Sequence, residues 1–170
     1  SAYKLIEIDE KFKIFKNGIS VIDLGSAPGS WSQYLSKKIK NSKIVSIDLK
    51  EMKAIDNTIQ VLGDFTEEKN QSKIKGFFKS NVDVVLSDMA VNTTGNKNID
   101  SIYTGELCME AMLFSKKILN NDGKFISKIF MGSTFNEIIT EAKLIFREVK
   151  VFKPISSRKD SKESFIICKL

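Results

Sequence analysis

At 170 residues and 42% hydrophobic, with no apolar run of about 18 residues and no N-terminal secretory pattern, the chain reads as one soluble, intracellular domain that crosses no membrane. Its net charge of +6 and pI near 9.2 fit an anionic partner such as nucleic acid, although all but two of its 27 basic residues are lysine (the exceptions are Arg147 and Arg158) and part of that excess fits an AT-rich coding bias. With no histidine, Ser-His and Cys-His nucleophilic pairs are excluded, no metal is expected, and any general base is Lys, Asp, Glu or Tyr.

In chain order, Tyr3, Leu5, Ile6 and Ile8 suggest a short helix that also carries Lys4. Residues 19–24 form a first, β-branched strand, and residues 30–40 a helix with Trp31, Tyr34, Leu35 and Ile39 at helical spacing. Lys43–Asp48 and Thr58–Leu62 are the second and third strands. The lysine-rich stretch 66–79 is an exposed helix over part of its length, and Val82–Leu86 is a fourth strand. The polar stretch 92–98 reads as a loop, and the stretch 102–119 as an amphipathic helix stopped by Asn120-Asn-Asp-Gly123. Lys124–Phe130 is a fifth strand, Phe135–Phe146 a helix, and Val149–Phe152 and Ser164–Cys168 the last strands. Cys108 and Cys168 sit in apolar stretches as buried free thiols.

Strands alternating with helices predict an α/β fold: a mostly parallel sheet with helices on both faces. The last two strands are joined by a stretch too short for a crossover helix, so the final strand is antiparallel. Ligands of such sheets bind at the carboxyl ends of the strands, where the chemistry-bearing residues cluster.

The first strand runs into Asp23-Leu-Gly-Ser-Ala-Pro-Gly-Ser-Trp31. This is not a Walker loop, because no Gly-Lys-Ser/Thr follows, and it lacks the Gly-x-Gly pair of a dinucleotide fingerprint. Pro28 removes one backbone N–H, which weakens the loop as a pyrophosphate cradle. Gly25 and Gly29, with Ser26, Ala27 and Trp31, suit a nucleoside without phosphates, S-adenosylmethionine (SAM). Asp48 is spaced to accept from both ribose hydroxyls. Asp64 would accept from the adenine amino group while Phe65 or its neighbour flanks the ring, and Asp88 would lie near the reacting methyl. Each acid alone also suits a strand-end turn or helix cap.

Residues 23–34, Ser87-Asp-Met-Ala90 with Asn92 and Gly95, Lys128-Ile-Phe130, Lys153-Pro154 with Ser156-Ser-Arg158, and Glu163 together resemble the FtsJ/RrmJ family of RNA ribose 2′-O-methyltransferases. The resemblance spans essentially the whole chain. It implies a Rossmann-like class I methyltransferase with an antiparallel seventh strand, one catalytic domain over residues 1–170, and a monomer. It also implies a catalytic tetrad of Lys4, Asp88, Lys128 and Glu163, and SAM contacts at Gly29, Trp31, Asp48, Asp64 and Asp88. Ser30 and Val91 depart from a frequent glycine and proline of the family without removing a catalytic group.

The implied reaction transfers the SAM methyl to a ribose 2′-hydroxyl. Lys128 is either neutral and takes the proton, or charged and orients the hydroxyl; Asp88 and Glu163 hold it, and Lys4 helps to position substrate. Ser87–Ala90 with Asn92 resembles the large-subunit ribosomal RNA branch, with a uridine as acceptor, more than the tRNA anticodon-loop branch. An inactive RNA-binding assembly factor on the same fold, or another methyl acceptor, are the competing readings. Two lysine groups are candidate RNA contacts: Lys37, Lys38, Lys40 and Lys43, and, nearer the site, Lys153, Arg158, Lys159 and Lys162.

Overall fold

A computed structural model describes residues 2–89 and 94–170. Strand β1 (Ser20–Leu24) is buried on both faces. Alternation sends Ile22 and Leu24 into one apolar cluster and Val21 into another on the opposite side of the sheet. The same split runs through β2 (Lys43–Asp48), β4 (Val82–Ser87) and β5 (Leu119–Phe130). One side is covered by α1 (Ala2–Phe12) and α2 (Ser30–Lys38), through Leu5, Ile8, Trp31 and Leu35. The other is covered by α3 (Glu68–Gly76), α4 (Lys97–Ile118) and α5 (Phe135–Ile145), through Ile74, Ala111, Phe114 and Ile138.

With β3 (Thr58–Leu62), β6 (Glu148–Phe152) and β7 (Glu163–Lys169), the sheet has seven strands in the order β3-β2-β1-β4-β5-β7-β6. β1 to β5 are parallel, and β7 is antiparallel to both β5 and β6, as the short final connection requires. The order reverses between β1 and β4, which opens a crevice at their carboxyl ends.

Three elements differ from expectation. Helix α1 runs 11 residues, and its exit is fixed by the Asp9 carboxylate, which accepts from the Ile14 and Phe15 N–H groups at 3.0 and 2.9 Å. Helix α4 begins inside the polar stretch expected to be loop, because Asn96 caps it by accepting from the N–H groups of Asn98 and Ile99. Strand β5 begins at Leu119, the last residue of the expected helix, and takes in the whole of the expected turn. A register shift opposite Val82–Val84 and a positive φ of 67° at Asp122 absorb Asn120–Gly123 as an irregular start to the strand.

Candidate functional site

The glycine loop after β1 is tied down from β2. Gly25 and Ser26 donate their N–H groups to the Ile47 carbonyl at 2.9 and 3.2 Å, and Ala27 N–H donates to Asp48 Oδ2 at 2.9 Å. Gly25 adopts φ +70°, and a Cβ there would meet Met89 Cγ at 2.3 Å, so the loops after β1 and β4 touch through a position that only glycine fits. The Asp88 N–H donates to the Leu24 carbonyl, closing the same contact. Gly29 adopts φ +111° beside Ile55 and Met52.

Asp48 uses its other oxygen to accept from Lys50 N–H at 2.9 Å, which fixes its carboxylate at the mouth of a cleft of about 240 Å³ walled by Met52, Gln60 and Leu62. Leu62 and Leu49 are 57% and 71% exposed, an apolar surface on either side of the strand ends. Asp64 accepts at Oδ1 from the Thr66 N–H and hydroxyl, so one of its oxygens makes the strand-end turn that its position alone allowed. Phe65 does not flank a ligand. It is buried, edge-on to Phe114 at 5.3 Å, because its side chain falls on the core side of the turn. Trp31 is also buried, its ring 5.9 Å from that of Phe165, so its side chain supports the sheet from beneath the loop. The peptide bond between Ala27 and Pro28 is cis. Ala90, Val91 and Asn92 lie outside the described residues, and Gly95 adopts φ +85° just before α4.

At the carboxyl end of β5, Lys128 projects on the α1 side and places Nζ 3.3 Å from Asp88 Oδ1 at the end of β4. Its side chain is 11% exposed, unlike a solvated edge lysine. Lys128 lies opposite Phe165 in the β5–β7 ladder, which makes Glu163 its diagonal neighbour on the same face. Glu163 pairs with Lys4 of α1, and both are largely shielded, at 15% and 22% exposure. The structure thus places four residues from four distant stretches as two ion pairs at one end of the sheet.

Two further acids complete this end: Asp23, which the sequence places at the head of the glycine loop without a role of its own, and Glu7, which it does not single out. Asp23 is fully buried; its Oδ2 accepts from the Ser32 hydroxyl at 2.7 Å, while Oδ1 has no hydrogen-bond partner among the described residues. Burial pushes its carboxyl up to about 7; the Ser32 hydrogen bond opposes this, and Asp88 and Asp48 add to it. The sequence does carry a signal for it: an acid at the last inward position of a strand that enters a glycine loop. The second is Glu7, one turn beyond Lys4 on α1, which accepts from the N–H groups of Ile155 and Ser156 and from the Ser156 hydroxyl. It clasps the β6–β7 connection onto α1.

Of the two lysine groups, Lys43 donates to the Phe77 carbonyl at 2.7 Å at the opposite edge of the sheet, so it is a structural tie. Arg158, Lys159 and Lys162 lie in the connection that leads into Glu163, on the site's side.

The fold and site define a class I methyltransferase: a seven-stranded sheet with this strand order, a glycine loop at the reversal point and an acid at the end of β2. The chain belongs to the FtsJ-like methyltransferase family, whose profile matches residues 1–170, and it is an enzyme of that class. It is 71% identical over 170 residues to Ribosomal RNA large subunit methyltransferase E of Pelagibacter ubique (strain HTCC1062), covering 100% of this chain and 84% of the relative. It is 47% identical to the Rickettsia bellii (strain RML369-C) protein of the same name, covering 98% and 76% of the two chains. A Plasmodium falciparum structure described as a ribosomal RNA methyltransferase superposes with a TM-score of 0.87 at 32% identity, over 99% of this chain and 94% of that one. The human methyltransferase-like protein 13, solved with S-adenosylhomocysteine, shares the fold at 14% identity and a TM-score of 0.67, over 89% of this chain and 72% of that one.

Proposed function

We propose that this chain transfers the methyl group of SAM to a ribose 2′-hydroxyl of RNA, with a uridine of large-subunit ribosomal RNA as acceptor. The observation that carries the reading is the pairing of Lys128 with Asp88 and of Lys4 with Glu163 beside the glycine loop. The names of the relatives supply the RNA class.

The residues fit the cofactor. Gly25 lets the loop after β4 pack directly onto the glycine loop, and Asp48 offers a fixed carboxylate for the ribose. Asp64 keeps one oxygen that its turn does not use, for the adenine end, where exposed Leu49 and Leu62 take the ring-flanking place expected of Phe65. The unpartnered, buried Asp23 Oδ1 suits a cationic group. SAM brings an activated methyl on a good leaving group, so the protein's task is alignment and disposal of one proton.

Lys128 faces the acceptor, where in its neutral form it would take that proton and in its charged form would orient the hydroxyl, and Asp88 fixes its Nζ from the β4 end. Glu163 anchors Lys4 at the substrate side, where the ammonium orients the sugar-phosphate of the acceptor. The test is incubation with labelled SAM and separate pools of unmodified ribosomal RNA, large ribosomal subunits and tRNA. Label entering ribosomal RNA or the subunit supports the reading; label entering tRNA alone, or no RNA, overturns it.

A further inference from the structure

The end of the sheet away from the glycine loop carries a second concave surface. A cleft of about 180 Å³ is lined by Phe12 at the end of α1, Lys124 at the start of β5, Glu148 and Lys150 of β6 and Lys169 of β7. The register makes this arrangement unavoidable. Lys124, Lys169 and Glu148 stand in one row across the three strands, and Lys150 stands in the next row opposite Ile167. Lys11 joins them: its Nζ lies 5.2 Å from the Phe152 ring centroid, while Lys150 Nζ lies 5.8 Å from that of Phe12. These ring contacts hold the ammonium groups in place before any ligand arrives.

Glu148, against three lysines in the lining, offsets only part of this positive charge. Among the described residues, none of Lys11, Lys16, Lys124, Lys150 and Lys169 forms an ion pair. Burial lowers the Lys124 pKa, Lys169 and Lys16 push the same way, and Glu148 and Asp9 oppose them. Asp9 is already occupied, accepting from Ile14, Phe15 and the Tyr34 hydroxyl. Such a cluster costs the free protein repulsion that a bound anion relieves.

We propose that this cleft is a second RNA-contacting site, in which Lys124, Lys150 and Lys169, rimmed by Lys11 and Lys16, hold phosphates of the substrate RNA remote from the reacting ribose. The proposal rests on the RNA reading above and extends it to a large, folded substrate. A chain of phosphates fits better than a protein surface, because the cores of protein interfaces are depleted in lysine. Helix α1 supplies the path. It carries Lys4 near one end and Lys11 at the other, and its 11 residues span roughly 16 Å. Along β5, Lys124 and Lys128 share a face and lie roughly 13 Å apart. An RNA seated at Lys128 therefore reaches the cleft by running beside α1 for about four nucleotides, at roughly 3.4 Å each along a strand, and a fragment shorter than that does not.

The test compares wild type with the triple variant Lys11→Gln/Lys150→Gln/Lys169→Gln, which keeps Lys124 and the whole catalytic end. Thermal unfolding confirms that the variant folds. Methylation is measured on a long large-subunit RNA fragment, on a trinucleotide centred on the target, and on the whole subunit, across a salt series. The expected result is affinity for the long RNA lowered ~10-fold, with a salt slope shallower by about 2, at ~0.7 for each phosphate that the three lost lysines no longer neutralise. Turnover and KM on the trinucleotide are unchanged. Wild-type affinity and slope on the long RNA overturn the proposal, and so does a defect confined to the whole subunit, which would mark a site for protein. If wild-type enzyme methylates no RNA at all, the functional reading itself has failed.

Discussion

Asp23 is the residue whose environment most constrains the free enzyme. Its carboxyl is raised from an ordinary 3.8 to about 7, by burial first and then by Asp88 and Asp48 against the Ser32 hydrogen bond. The folded state therefore holds this proton more tightly than the unfolded chain, so Asp23's contribution to stability is greatest below pH ~4 and declines as pH rises through about 7, by on the order of 4 kcal/mol. A cation bound at Oδ1 reverses the balance. SAM affinity is expected to strengthen as pH rises from 6 to 8, and Asp23→Asn to flatten that dependence while raising the melting temperature of the free protein at pH 8. Calorimetric titration and thermal unfolding measure both; a pH-independent wild-type affinity contradicts the assignment. Lys128→Ala is expected to lower the single-turnover rate at least ~100-fold while SAM affinity changes less than about twofold, since it removes the group that faces the reacting hydroxyl but no cofactor contact. Near-normal turnover contradicts that role. Asp88, Lys128 and Glu163 lie in motifs visible in the sequence, whereas Lys4 joins them only through the family resemblance, and the two ion pairs bring all four to one end of the sheet. Phe65 was misread because an aromatic beside an acid looks the same whether its ring faces a ligand or Phe114, a choice that α4 makes from across the core.

At the scale of elements, α1 matters more than its length suggests. Lys4 reaches Glu163, Glu7 clasps Ile155 and Ser156, and Asp9 bonds the Tyr34 hydroxyl of α2, so one helix links the β6–β7 connection to the layer beneath the sheet. Burial pushes the Glu7 carboxyl up, but the Ser156 hydroxyl and the two N–H donors together hold it below its ordinary 4.5. The clasp's contribution is therefore present above pH ~4.5 and is lost as pH falls through the lowered value. Glu7→Ala is expected to cost about 1 kcal/mol, discounted for the exposed setting, and ~2–4 °C of melting temperature at pH 7, with turnover falling more than SAM affinity. An unchanged melting temperature and turnover contradict the clasp. Gly25→Ala is expected to weaken SAM binding at least ~10-fold by driving Met89 away from the loop; equilibrium dialysis at wild-type affinity contradicts this close approach. The strands and most helices were legible from periodicity. The start of α4 was not, because Asn96 caps it in a stretch whose polar composition reads as loop. Nor was the start of β5, because turn residues at Asn120–Gly123 were absorbed by a register shift that pairing with β4 imposes.

At the scale of the molecule, the parallel sheet is what makes the site. Residues 4, 88, 128 and 163 have no local relation in the sequence, yet the strand order and the antiparallel β7 bring them to one end beside the glycine loop. The same topology gathers lysines at the opposite end, a pattern that periodicity along any single strand does not reveal. Sequence spacing points to the methyl donor, and the proposed acceptor atom rests on the family resemblance. The most direct measurement of that claim is to methylate large-subunit ribosomal RNA with labelled SAM, digest it in alkali and map the label. The account predicts a single labelled uridine whose 3′ linkage resists alkaline cleavage, because its 2′-oxygen carries the methyl, and disappearance of that label with Lys128→Ala. Label on a base, with the backbone still cleaved at that position, would contradict it.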